Sequence, residues 1–123
     1  MANIVTRLGK GQITATTSGT AEVMATNPTT YDYVIDYIMI LNTHSSSVIV
    51  YLYQVDDNAG AVGTLAATDQ FLEYTLASKE TLLLGREDVM IVMEDTNDTI
   101  KGYAGTTAVL NYWIYGMKLA DQT

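Results

Sequence analysis

Short runs rich in Val, Ile, Tyr and Thr recur roughly every 8–14 residues along this chain, each closed by a polar turn. That rhythm suits strands and is too short for amphipathic helices. Residues 12–17 and 21–25 read as two short strands joined by the Thr17-Ser18-Gly19-Thr20 turn. After Asn27-Pro28-Thr29-Thr30, residues 31–42 form a long strand, and THSSS (43–47) leads into Val48–Val55. Two strands around a short polar turn predict a hairpin over 31–55. A loop with two glycines (56–64) and a helical turn within 65–70 come next. Further strands follow at 71–76, 80–84, 89–93, 99–104 and 108–119, with turns at Ser78-Lys79, 85–88, 94–98 and 105–107. The fold class is all-β: an antiparallel β-sandwich or jelly-roll-like barrel of about eight strands, with a short N-terminal arm. The division expected is an arm and first strand over 1–20 and the sandwich over 21–123, with residues 1–8 either an edge strand or an arm leaving the domain.

A strand of a single sandwich shows one apolar and one polar face. The strands at 31–55 and 108–119 do not. Between Tyr33 and Asn42, only Asp36 and Asn42 mark a solvent side. Depending on register, several of Tyr31, Tyr37, Tyr51, Tyr53, Tyr112 and Tyr115 project outward, and exposed aromatic area is a partner-binding signal. These six tyrosines, with Arg7 and Lys10, are the candidate interface residues.

Composition narrows the function. The chain has 123 residues, one domain's worth, with 48% hydrophobic residues, no cysteine and a single histidine. Disulfides, thiolate metal sites and a cysteine nucleophile are excluded. The net charge of −8 argues against nucleic-acid binding by phosphate neutralisation. No apolar stretch approaches the roughly 18–20 residues of a membrane-spanning helix. Residues 1–5 do not read as a signal peptide, because Arg7 and Lys10 follow the apolar residues. Residues 1–20 carry two basic residues and no acid, whereas the remainder is strongly acidic, a polarity suited to contact between neighbouring copies.

No catalytic constellation stands out. His44 sits beside Ser45, Ser46 and Ser47, which read as turn formers and not as a triad. Asp56-Asp57-Asn58-Ala59-Gly60 echoes a calcium loop, but Gly60 has no side chain and Ala67 stands where the closing glutamate belongs. Glu94, Asp95, Asn97 and Asp98 read as turn residues bonding back to their own backbone. No phosphate loop, HExxH or GxSxG occurs. No catalytic residue, cofactor or metal ligand is assigned.

The order of segments carries a resemblance. Leu41-Asn42-Thr43 leads through a polar turn to Val48-Ile49-Val50-Tyr51-Leu52. Leu76-Ala77-Ser78-Lys79-Glu80-Thr81-Leu82 follows, then Met93-Glu94-Asp95-Thr96-Asn97-Asp98-Thr99-Ile100, and a last strand ends Tyr115-Gly116-Met117. Over residues 26–119 this resembles small β-sandwich virion proteins of tailed bacteriophages. It departs from that group in Ser78-Lys79, where a glycine-containing turn is common, and in its tyrosine-rich strands. The resemblance implies a non-enzymatic virion component made in the host cytoplasm, foremost a capsid decoration or cement protein. Its partners would be the major capsid protein or other virion proteins, and copies of itself in a homo-oligomer, a trimer being favoured, with neither nucleic acid nor membrane as partner. The alternative is a tail, neck or fibre module that binds a host receptor or glycan.

Overall fold

A computed structural model describes residues 4–119. Nine strands are present among the described residues: β1 (Ile4–Ile13), β2 (Glu22–Thr26), β3 (Tyr33–Asn42), β4 (Val48–Val55), β5 (Gln70–Leu76), β6 (Thr81–Gly85), β7 (Val92–Met93), β8 (Thr99–Ala104) and β9 (Leu110–Lys118). They form two antiparallel sheets. One has the order β1-β9-β3-β6, with β7 pairing the start of β3, and the other has the order β2-β8-β4-β5. The fold is thus an all-β sandwich. Most successive strands lie in opposite sheets, the jelly-roll arrangement.

The expected hairpin over 31–55 does not form. β3 bonds to β9, β6 and β7, while β4 bonds to β8 and β5 in the other sheet. The THSSS segment bridges the sheets, a step of about 10 Å that five residues cover easily. Likewise β1 and β2 belong to different sheets despite the short link between them. A polar turn between two apolar strands specifies a reversal of direction, and both a hairpin and a sheet-to-sheet crossing satisfy it.

Of the two alternatives for residues 1–8, the described part (4–8) forms the edge strand. β1 pairs with β9 from Ile4↔Lys118 to Ile13↔Leu110. Residues 1–3 lie outside the described residues.

Bulges resolve the two-faced appearance of β3. Its pairing with β9 shifts between Ile35 and Tyr37, so Asp36 is an extra residue and the alternation changes phase there. Tyr33 and Ile35 point inward before the bulge, and Ile38, Ile40 and Asn42 after it. Asn42, expected to mark solvent, is fully buried for this reason. A matching bulge on the other flank of β9, between Arg7 and Gly9, turns Leu8 onto Gly116. The core joins Ile35, Ile38, Ile40, Leu110 and Ile114 to Met24, Val50, Leu52 and Ile100 of the opposite sheet, all at most 2% exposed. Each such side chain contributes about 1.5–3 kcal/mol by burial.

Three buried polar side chains tie the ends of the sandwich. The Asn42 amide donates to the carbonyls of Ser46, Leu76 and Ala77 and accepts from the His44 N–H. Asn27 donates to the carbonyls of Tyr31 and Met93. The Asp98 carboxylate accepts from the backbone of Asp57, Glu94 and Asp95. Each satisfies backbone groups that lie beyond the ladders.

Candidate functional site: the bare outer face of one sheet

The outer faces of the two sheets differ. On the β2-β8-β4-β5 sheet, Tyr51 stacks on Tyr103 at 4.5 Å between ring centroids, and Tyr103 lies 6.0 Å from Tyr53. The 56–69 segment roofs part of this face. Gly63 passes so close to Val55 and Asp56 that a Cβ on it would lie 2.1 Å from the Asp56 carbonyl oxygen. Lys101 Nζ holds the Gly63 carbonyl at 2.8 Å. Val55 and Tyr53 are buried beneath this roof, at 2% and 4% exposure. Burial first, then the neighbouring Tyr103 hydroxyl, pushes the Tyr53 phenol up to about 12. Tyr53 is therefore covered by its own chain.

Among the described residues, nothing roofs the outer face of the β1-β9-β3-β6 sheet in this way. Register sets its side chains in rows across four strands. Lys10, Trp113, Met39 and Leu83 make one row. Arg7, Tyr115, Tyr37 and Gly85 make the next. Val5, Met117, Val34 and Val92 make a third. Gln12, Asn111, Leu41 and Thr81 close one end, with Gln12 donating to Asn111 at 3.1 Å. Tyr37 stacks on Tyr115 at 4.9 Å. Leu83 is 60% exposed and Val5 51%, high for large apolar residues in a continuous patch. A shallow groove of about 590 Å³ runs between Tyr37, Met39 and Leu83 on one side and Glu87 and Asp88 on the other.

Charge frames this face unevenly. Arg7 and Lys10, both exposed, flank it on β1. Glu87 and Asp88, also exposed, flank it on the β6–β7 link. The Asp36–Arg86 ion pair, at 2.8 Å, is internally neutral.

Of the eight expected interface residues, Arg7, Lys10, Tyr37 and Tyr115 meet on this face. Tyr51 lies half-buried on the other sheet. Tyr31, 40% exposed, sits at the sandwich end beneath the Lys118 ammonium, 4.4 Å from its ring centre. Tyr112 points into the core at 6% exposure, and burial raises its phenol pKa. β9 alternates strictly, so Tyr112 and Tyr115, three positions apart, take opposite faces. Sequence reasoning missed Trp113, Met39 and Leu83. The alternation of 110–117 held the signal, once its phase was known.

The polar candidates act as turn formers. His44 engages through its backbone, its N–H bonding Asn42 Oδ1 and its carbonyl accepting from Ser78 Oγ. Asp57, Asp95 and Asp98 bring carboxylate oxygens within 4.8 Å of one another, a donor set of the kind hard cations accept. Asp98 is already committed to three backbone N–H groups, so the cluster is explained as a loop clasp. Burial, then the neighbouring Asp57 and Asp98, raises the Asp95 carboxyl.

Comparison with protein-family models and with curated proteins gives no match to the chain.

Proposed function

We propose that this chain is a non-enzymatic structural subunit that works by assembly and, following the sequence resemblance, that it decorates or cements the capsid of a tailed bacteriophage. The observation that carries the reading is the bare, apolar outer face of the β1-β9-β3-β6 sheet. Trp113, Met39, Leu83, Tyr37 and Tyr115 form its centre. A sheet face of this composition is stabilised by being covered. A cement subunit needs wide adhesive area and no reacting groups, and repetition around a shell turns modest contacts into firm attachment. Receptor or glycan recognition by a tail module is the weaker reading, because the aromatic side chains gather on sheet faces and Tyr31 alone projects at a loop.

The test is direct. Particles assembled without the chain are incubated with purified protein, washed and imaged by electron cryomicroscopy. Density for the sandwich at regular sites on the shell, with this face covered, supports the proposal. Failure to bind the shell, or attachment only at the tail, overturns it.

A further inference from the structure

The layout of charge on the bare face points to a particular neighbour: we propose that a second copy of this chain covers it, related by a two-fold axis parallel to the strands. This deepens the assembly reading and rests on it only for the idea that the face is covered. The order across the sheet is β1, β9, β3, β6, with basic residues on the first strand and acidic residues beyond the last. When two identical faces meet about an axis along the strands, left and right exchange while the level along the strands is kept. β1 of one copy then lies over β6 of the other. Arg7 shares its row with Gly85, directly before the turn that carries Glu87 and Asp88. Arg7 of one copy therefore falls opposite the acidic turn of its partner, twice per dimer. The paired Tyr37 and Tyr115 rings meet at the axis.

An axis perpendicular to the strands, also in the plane of the face, sets β1 on β1 and brings like charges together. Either in-plane axis keeps the strands of the two packed sheets aligned, a favoured sheet-on-sheet geometry, so charge decides between them. Four strands about 4.8 Å apart and about 25 Å long offer roughly 500 Å² a side, about 1,000 Å² in total. That reaches the lower limit for a specific interface and suits a reversible dimer. A ring joined through the same charged edges, such as the trimer implied by the virion resemblance, leaves the apolar centre bare.

Charge exchange tests this geometry. Arg7→Glu sets acid against acid at both contacts, and Glu87→Lys sets base against base. Both residues are exposed, and neither side chain makes a hydrogen bond or ion pair among the described residues. The full-length wild type should sediment as a dimer at about 100 µM. Each variant alone should dimerise at least about tenfold more weakly, and an equimolar mixture of the two should recover wild-type dimerisation, because both contacts become opposite pairs. Far-UV circular dichroism of each variant should match the wild type. An odd-numbered ring is not rescued by mixing, because at least one contact joins two copies of the same variant. A monomeric or trimeric wild type, or a mixture no better than its components, overturns the proposal. Protein that stays monomeric yet decorates the shell refutes the two-fold pairing and leaves the cement reading standing. Protein that dimerises yet ignores the shell does the reverse.

Discussion

Asn42→Ala tests how the end of the sandwich is held. The Asn42 amide is fully buried and joins three segments: the 43–47 crossing, the end of β5 and the turn before β6. Its two N–H bonds are shared among three carbonyl oxygens at 3.0–3.2 Å, and its own oxygen accepts the His44 N–H at 2.8 Å. Truncation removes about three effective hydrogen bonds, each contributing about 1 kcal/mol net, and leaves the Leu76 carbonyl without this partner. The expected loss is about 3 kcal/mol, or roughly 10 °C in melting temperature for a chain of this size. The assay is urea and thermal denaturation followed by far-UV circular dichroism at pH 7. Asn42→Asp should cost at least as much at that pH, because a carboxylate facing three carbonyl oxygens has no proton to give, and it should recover partly in acid as the carboxyl protonates. A loss below about 1 kcal/mol for Asn42→Ala would refute the reasoning, showing that water replaces the amide.

Two further perturbations probe close approach and burial. Gly9→Ala should destabilise by about 3 kcal/mol or unfold the chain, because a Cβ there would lie 1.6 Å from the Met24 carbonyl oxygen; a melting temperature within a few degrees of wild type would contradict that packing. Tyr53 has a folded-state pKa near 12, above the usual 10, so the fold favours its neutral form. Its contribution is complete below pH 10 and is lost as pH rises through about 12. Tyr53→Phe should flatten the fall of melting temperature across that alkaline window, and an unchanged profile would place the titrating group elsewhere.

Val48–Val55 and Thr99–Ala104 lie where periodicity places them, because each apolar run is short and each break polar, whereas the strand expected over 12–17 is displaced to Ile4–Ile13 and that expected over 89–93 shrinks to Val92–Met93. Facing was harder to read. One extra residue, Asp36, reverses the alternation in mid-strand, so Asn42 looked exposed and is buried. Nothing local distinguishes a bulge from a continued strand, because the phase is fixed by pairing with β9, some seventy residues later in the chain. The burial of Tyr53 was hidden for another long-range reason: its cover comes from a loop that carries no strong pattern of its own. Charge and aromatic surplus singled out Arg7, Lys10, Tyr37 and Tyr115. Their convergence on one face, and the central place of Trp113, Met39 and Leu83, needed the sheet order.

That face contains the single tryptophan of the chain, Trp113, half-buried between Lys10 and Met39. Its fluorescence reports on the central claim without any substitution. The measurement is acrylamide quenching of Trp113, first in dilute, dissociated protein and then in the assembled state. Assembly should blue-shift the emission and reduce quenching several-fold, because the covering surface excludes both water and quencher. Equal quenching and an unshifted spectrum in the two states would show that the outer face of the β1-β9-β3-β6 sheet stays bare, and would contradict the account.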